Sequence, residues 1–294
     1  MNVAVIWGHH RNDKDFHTHH TFWERSLRDD PTLKITRYIW PEMMDMPKDH
    51  DLYFFIDFVP ELYRLWDRPF HPRIFYVWDA FHVPFTYPAQ VTEIFDRSYF
   101  AEKNVVDMLH MQGIHKARWV PPAYYEGCYR PLAGVEKRFD MSFTGQPDNV
   151  VIRKGTTRKE FFEKFMFTSG LRCNVTQGVY GDDLNLIYNQ SLICPDKTIF
   201  WNCGTRFFEV PGSGQFLLAN RGRVETGMDT LAVDGLHFIS YDDSYEDFDK
   251  KVRHYLTHAD ERIRIASAGH KFFYDNHRYC HRWHAILKDL GFEK

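Results

Sequence analysis

Residues 202–221 read NCGTRFFEVPGSGQFLLANR. Arg206 and Glu209 stand three apart, so on one helical turn they share a face. Gly212, Ser213 and Gly214 predict a loop, and the apolar run 216–219 behind it predicts a buried strand. Just upstream, residues 198–202 also read as a strand. Strands alternating with helical stretches imply βαβ units and a parallel sheet.

The same alternation recurs outward from this stretch. Residues 139–143 predict a strand ending before Gly145, and Thr156 or Thr157 predicts the cap of a helix running to Thr168. Strands are expected at 172–176 and 237–241, and helices at 183–190 and 224–232. In the first half, the run 2–7 stops at Gly8. Residues 34–40, 51–57 and 73–79 are rich in Val, Ile, Phe and Tyr, as buried strands are. Residues 21–29 and 102–112 read as helices, the second stopping at Gly113. A short strand at 118–120 is broken by Pro121 and Pro122. Two apolar stripes at helical spacing close the chain: Phe248, Val252, Tyr255 and Leu256, then Tyr279, Trp283, Ile286, Leu287 and Leu290. The polar stretch 131–138 is the expected domain boundary. It gives domains of 1–132, joined by a C-terminal helix at 278–294, and 133–277. Ligands in such proteins usually bind between domains, at the carboxyl ends of strands.

Composition narrows the function. The chain has 294 residues, 44% hydrophobic and 17% aromatic, enough for two well-filled cores and against disorder. A formal net charge of -3 excludes a global basic field for nucleic acid or an anionic membrane. The five cysteines are odd in number and widely spaced, without CxxC, which predicts thiols in a reducing cytoplasm. The N-terminus has no basic stretch followed by a long apolar run, and no segment has about 20 uninterrupted apolar residues, so no membrane span or export is expected.

The chemistry of 202–221 has two readings. Glycines let backbone N–H groups approach an anion, a carboxylate suits the two hydroxyls of a ribose, and an arginine suits a diphosphate. The plainer reading is an Arg206–Glu209 ion pair followed by a turn. Arg206, Phe208, Glu209, Gly214, Phe216, Leu217 and Leu218 stand in register with a pattern R-x-F-E, four residues, then G-x-F-L-L. Phe143-Thr144-Gly145 matches F-V-G, with Arg158 following. Tyr188-Asn189 matches Y-N, and Asn202 matches a strand-end Asn. Further on, Ser240 to Asp243, Glu261-Arg262 through Gly269-His270, and Tyr279 to Arg282 fall in the same order. Val120 to Ala123 resembles a W-L-P-x-A stretch.

This series resembles the CgeB-like spore-maturation glycosyltransferases, within the group-1, GT4-like superfamily of GT-B enzymes, well over residues 95–290 and loosely before them. The resemblance implies a GT-B fold, two Rossmann-like, doubly wound parallel-sheet domains facing a central cleft. It implies transfer of a hexose from a nucleoside-diphosphate sugar, UDP being the habitual carrier, with a retaining outcome and no required metal or cofactor. By the same resemblance Glu209 takes the ribose, and residues 212–214 lie near the donor phosphates and sugar. Arg206 and Arg158 lie at the diphosphate, where Arg206 would stabilise the leaving group electrostatically. Gly145 and Asn202 are donor-side strand ends. One departure is Trp201, which stands where many retaining GT-B enzymes carry a second Glu.

Other residues invite chemistry. His9, His10, His17, His19 and His20 suggest a metal, but no HExxH-like spacing supports one. An acceptor contact and a plain surface loop are the other readings. Asp79 and His82 follow a strand and could act as base or sugar-hydroxyl ligand; equally, Asp79 could cap a turn and His82 could stack on Phe81, Phe85 and Tyr87. Asp57 ends a strand. The aromatics of 73–100 read as a sugar platform or, more simply, as core. The expected acceptor is a glycan, a protein, a small molecule or a modified nucleic-acid base, the last as in phage DNA-base glycosyltransferases. A GT-B pair that binds nucleotide or glycan without turnover is an alternative. A nicotinamide oxidoreductase is disfavoured, since the first strand lacks G-x-G-x-x-G.

Overall fold

The computed structural model describes residues 1–7, 19–39, 42–56, 70–78, 80, 86–145, 151–152, 156–198, 203–221 and 226–292. The chain divides into two compact units, Met1–Pro121 with Arg282–Lys294, and Pro122–His281. The stretch 131–138 lies inside the second of these.

In the first unit, strands β1 (Asn2–Trp7), β2 (Lys34–Ile39), β3 (Leu52–Ile56), β4 (Arg73–Val77), β5 (Arg97–Phe100) and β6 (Ala117–Trp119) form one sheet in the order β2-β1-β3-β4-β5-β6. Every pairing is parallel. Helices α1 (His19–Arg28), α2 (Thr86–Ile94) and α3 (Lys103–Met111) make crossovers. β3 and β4 are buried throughout, as expected for strands covered on both faces. The period of two divides them. Ala4, Ile6, Tyr53, Phe55, Phe75, Val77 and Phe100 belong to one apolar cluster with Val91 of α2 and Leu109 of α3. Phe54 and Tyr76 instead meet Trp23 of α1, edge-on at 5.3 and 5.1 Å. The last helix of the chain, Tyr279–Asp289, returns to this face, where Trp283 lies 5.7 Å from Phe54. Of the described aromatics of 73–100, Phe75, Tyr76, Phe95, Tyr99 and Phe100 are buried in the core.

The second unit carries β7 (Phe139–Thr144), β8 (Val151–Ile152), β9 (Thr156–Thr157), α4 (Arg158–Thr168), β10 (Cys173–Thr176), α5 (Gly181–Asn189), β11 (Ser191–Asp196), α6 (Arg206–Gly212), β12 (Leu217–Asn220), α7 (Met228–Leu231), β13 (Ile239–Tyr241), α8 (Tyr245–Thr257) and α9 (Ala259–Asn276). The closing helix Tyr279–Asp289 is α10. The main sheet is parallel, in the order β10-β7-β11-β12-β13. On one face Phe143 stacks on Phe162 of α4 at 3.9 Å, and Phe165 meets Phe248 of α8 at 4.8 Å. On the other face, Phe207 and Phe208 of α6 meet Phe273 of α9 at 5.5 and 5.9 Å.

The structure adds to the expectations at three places. Of the strand expected at 198–202, residues 199–202 lie outside the described residues, and a strand that was not expected stands at Ser191–Asp196; Pro195 within it masks the signal, since proline is normally excluded from central strands. It is tolerated where β11 has passed its last pairing with β7, at Ile193, and pairs with β12. Thr156 and Thr157 stand directly before α4, which runs to Thr168 as expected, and pair with β8 in a two-stranded antiparallel ladder. Of the helix expected at 224–232, residues 226–232 are described and carry α7.

Candidate functional site

Both main sheets are doubly wound. Their strand order reverses beside the first strand of each unit, between β1 and β3 and between β7 and β11. In open parallel sheets the crevice at such a reversal, beyond the carboxyl ends of the strands, is where ligands bind. β7 ends at Thr144 and β11 at Asp196, so these two ends frame the reversal in the second unit.

Arg206, the first residue of α6, bridges them. Its Nε donates to the Thr144 carbonyl at 2.9 Å, its Nη2 donates to the same oxygen, and its Nη1 donates to Asp196 Oδ1 at 2.6 Å. Glycine at position 145 permits this approach: a Cβ there would run into the guanidinium, and its φ of +155° is one that side-chain-bearing residues rarely adopt. Burial opposes the Arg206 charge, but Asp196, Tyr188 and Glu209 together outweigh it and hold the group above its ordinary range. Asp196 is fixed in turn, because its backbone carbonyl accepts the Tyr241 hydroxyl at 3.1 Å.

A second guanidinium stands close by. Arg158 heads α4, donates from Nη1 to the Lys197 carbonyl at 3.3 Å, and lies over the Phe143 ring at 5.5 Å. Arg206 lies over the same ring at 4.6 Å. Burial first and the Arg206 charge second push Arg158 down to about 10, with Asp196 opposing. Lys197, buried under Phe161 at 4.3 Å, reaches Asp243 at 3.3 Å. Burial lowers its ammonium, and Asp243 opposes that. Asn220, at the end of β12, ties the same corner: its Oδ1 accepts from Thr198 N at 2.8 Å and its Nδ2 donates to Asp243 at 3.2 Å.

Glu209 lies one turn along α6 from Arg206. It accepts the Tyr188 hydroxyl on Oε2 at 3.2 Å, and also bonds to Tyr129 and Thr205. Burial raises its carboxyl; Arg206 and the three hydroxyls work against the rise. Arg206 and Glu209 therefore share a helical turn as their spacing predicts, but the salt-bridge partner of Arg206 is Asp196.

The glycine loop needs correction. Gly212 closes α6 rather than opening a loop, and a Cβ on it would come within 2.5 Å of the Tyr124 ring. Gly214 takes φ +73° beside Pro131. The N–H groups of Ser213, Gly214 and Gln215 donate to Glu209, Pro211 and Val210 carbonyls, and Ser213 is fully buried. These amides terminate a helix and offer no cradle to a phosphate.

Asp57, Asp79, His82, Trp201, Asn202, His9, His10 and His17 lie outside the described residues; His19 and His20 open α1. Among the described residues no cluster of three or more His, Cys, Asp or Glu could hold a metal, and no helix is long and apolar enough to cross a membrane. Asp196, Lys197 and Tyr129 went unnoticed in the sequence. The Asp-Lys pair directly after an apolar run was the available signal for the first two; Tyr129 left none.

A family model described as glycosyl transferase-like matches residues 137–288, more than half of the chain and nearly all of the second unit. The chain belongs to this glycosyl transferase-like family. No curated protein matches it. Solved structures do. An Anabaena protein, HepE, in complex with UDP superposes with a TM-score of 0.69 over 100% of both chains at 8% identity. An alpha-glucosyltransferase in complex with UDP and a 13-mer DNA containing a HMU base gives 0.72 over 98% of each chain at 10% identity. Sucrose-phosphate synthase from Thermosynechococcus elongatus gives 0.67 over 99% of this chain and 97% of its own, at 9% identity. Such identities speak for fold, and the fold is GT-B: two Rossmann-like domains, each a parallel sheet wound on both faces. This member of the glycosyl transferase-like family thus has both sheets of that fold, with its cationic corner at the reversal point of the second.

Proposed function

We propose that the chain is a cytoplasmic, CgeB-like glycosyltransferase that moves a hexose from a UDP-sugar to an acceptor, with retention and without a metal. The observation that carries this reading is the pair of guanidiniums, Arg158 and Arg206, beside the Asp196 carboxylate at the β7–β11 reversal, with Glu209 a turn away. Two cations pressed against each other in a buried corner are relieved by an anion, and a diphosphate supplies one. Glu209 then takes the ribose. As the glycosidic bond breaks, charge accumulates on the diphosphate, and Arg206 and Arg158, already fixed in place, stabilise it. Residues 133–277 would bind the donor; 1–132 with 278–294 would bind the acceptor, Asp79 and His82 serving there as base or hydroxyl ligand. Several neighbours of the same fold were solved with UDP or UDP-glucose, which favours uridine as the base.

The test is a thermal-shift panel of UDP, GDP, ADP, TDP and CMP, with and without EDTA. A ligand that binds only the folded state adds about 2.7 kcal/mol at 100 times its dissociation constant. A shift with UDP, insensitive to EDTA and lost in Glu209→Ala, is the expected result. Silence across the panel would leave a GT-B pair without turnover.

For the acceptor, the likeness to an alpha-glucosyltransferase bound to DNA with a HMU base favours one specific trial, a hydroxymethylated base. The net charge of -3 weighs against it. Transfer from labelled UDP-glucose onto hydroxymethylated duplex, and none onto plain duplex, would establish it; no label on either would remove it.

A further inference from the structure

Glu209 is held in an unusual way for a buried carboxylate next to an arginine. It makes no short ion pair with Arg206, whose Nη1 goes to Asp196 at 2.6 Å. Its bonds come from hydroxyls: Tyr188 at 3.2 Å, Tyr129, and Thr205. Both tyrosines are buried, and their rings lie 6.3 Å apart. They reach Glu209 from two directions, yet one helix sets both. Tyr188 is on α5. Asn185 and Asn189, on the same helix, fasten the segment that carries Tyr129: Arg130 N donates to Asn185 Oδ1 at 3.2 Å, Leu132 N donates to Asn189 Oδ1 at 2.9 Å, and Asn189 Nδ2 donates to the Arg130 carbonyl at 3.1 Å. All three polar side chains of this stretch of α5, at positions 185, 188 and 189, thus serve Glu209 directly or through Tyr129.

We propose that Tyr129 and Tyr188 are positioning residues that fix the Glu209 carboxylate, ionised and aimed, for the ribose of the donor, and so set the preference for ribonucleotide over 2′-deoxyribonucleotide. The proposal rests on Glu209 as the ribose ligand. The physical case has two parts. A buried carboxylate stays charged only when hydrogen-bonded, and two phenol donors favour the charged form against the burial that disfavours it. A carboxylate has roughly four acceptor positions, so three hydroxyl donors leave it one fixed orientation and little spare capacity. The remaining position suits one ribose hydroxyl, which the ionised group accepts strongly and a protonated carboxyl accepts weakly. The titratable groups that face this carboxylate are Arg206, Tyr129 and Tyr188, with Cys128 and Cys194 behind the tyrosines and Asp196 beyond Arg206.

Tyr129→Phe and Tyr188→Phe delete a hydroxyl and keep the ring, so the packing survives. The experiment measures dissociation constants of UDP and 2′-deoxy-UDP for the wild type, both singles and the double, across pH. The wild type is expected to prefer UDP. In the singles that preference shrinks several-fold, and in the double by about tenfold, equivalent to one hydrogen bond's worth of binding. Affinity for 2′-deoxy-UDP hardly moves. The acid-side loss of UDP binding also shifts to higher pH, since fewer donors favour the charged carboxylate. Equal weakening of both nucleotides with an unshifted pH profile would overturn the proposal and leave the tyrosines as packing. A preference intact in both singles would overturn it too, even if the double did not fold. If the wild type bound neither nucleotide, the donor reading itself would fall; if it bound UDP and only the variants failed to respond, the tyrosine clamp alone would fall.

Discussion

Exposed charges where strands of the first unit begin contrast with a buried ion pair where strands of the second unit end. In the first unit, Asn2 N donates to Asp51 at 2.7 Å, Arg73 N donates to Asp96 at 2.8 Å, and Arg97 and Arg118 share Asp289 at 3.5 and 3.1 Å. The described strand ends there are apolar: Ile56, Val77 and Phe100, all buried. In the second unit buried charge sits where strands end, with Asp196 closing β11 and Lys197 after it, beside the polar Asn220 that closes β12. The exposures differ as well. The Arg118–Asp289 side chains are 38% and 26% exposed, those of Arg206 and Asp196 13% and 2%. Water screens the first pair, which makes it cheap to keep and of little consequence. The second has lost its hydration and would be replaceable by apolar packing if stability were its only purpose. A buried ion pair kept at the ligand edge of a sheet points to function; an exposed one at the opposite edge points to assembly of the fold.

The sharpest way to break this contrast is Asp196→Ala. It strands Arg206 in a buried corner next to Arg158, so the folded state should lose about 3–5 kcal/mol, read from the urea midpoint at unchanged slope. A loss below about 1 kcal/mol would put both edges on the same footing. Gly145→Ala should cost less, about 1–3 kcal/mol, since it combines an unfavourable φ with a methyl pushed against the Arg206 guanidinium. It should weaken UDP binding too. Gly113→Ala serves as a control for a positive φ without a clash, because at φ +80° it has nothing within reach of the added methyl.

Glu209 tests the contrast through the sign of its effect. Burial raises its carboxyl in the folded state above its unfolded value. Folded protein therefore holds the proton more tightly, and the stability this gives is present below the unfolded pKa and is lost as pH rises through the folded one. Ionisation of Glu209 as pH rises thus works against folding. Glu209→Gln should leave stability equal or higher at pH 7, with the difference vanishing in acid, while UDP binding is lost. Denaturant titrations at several pH values check the first part and calorimetry the second. A variant less stable at pH 7 than the wild type would make Glu209 a structural group.

These tests also mark how far the sequence could be read. The alternation of strands with helices was visible because β3 and β4 are unbroken apolar runs, and the α8 and α10 stripes hold their helical spacing. Arg206 and Glu209 could be picked out because they lie on one short helix. Asp196 could not, since its strand contains Pro195 and its partner Arg206 is defined by the fold, not by sequence spacing. Tyr129 reaches Glu209 across 80 residues of chain, a contact with no local pattern. The glycines misled for a related reason: Gly212 and Gly214 looked like a phosphate loop, but Tyr124 and Pro131, far away in sequence, take the space.

The smallest expected effect belongs to Asp289→Ala. Three partners converge on this carboxylate: Arg97 at 3.5 Å, Arg118 at 3.1 Å and the Tyr99 hydroxyl at 3.0 Å. Both arginines are more than a third exposed, so water takes over their charge when the aspartate goes. Each pair should then contribute under about 1 kcal/mol. Tyr99 is the exception, buried with its hydroxyl turned to Asp289, and burial with the neighbouring carboxylate raises its ionisation far above the ordinary phenol range. Its lost bond should set the total at about 1 kcal/mol. The screened part should shrink further in about 1 M salt, where the Debye length falls to about 3 Å, while the Tyr99 part stays. Paired urea titrations of Asp289→Ala and Tyr99→Phe at low and high salt separate the two. If Asp289→Ala cost as much as Asp196→Ala, the amino edge of the first sheet would be holding charge as tightly as the carboxyl edge of the second, and burial rather than position along the strands would no longer distinguish them.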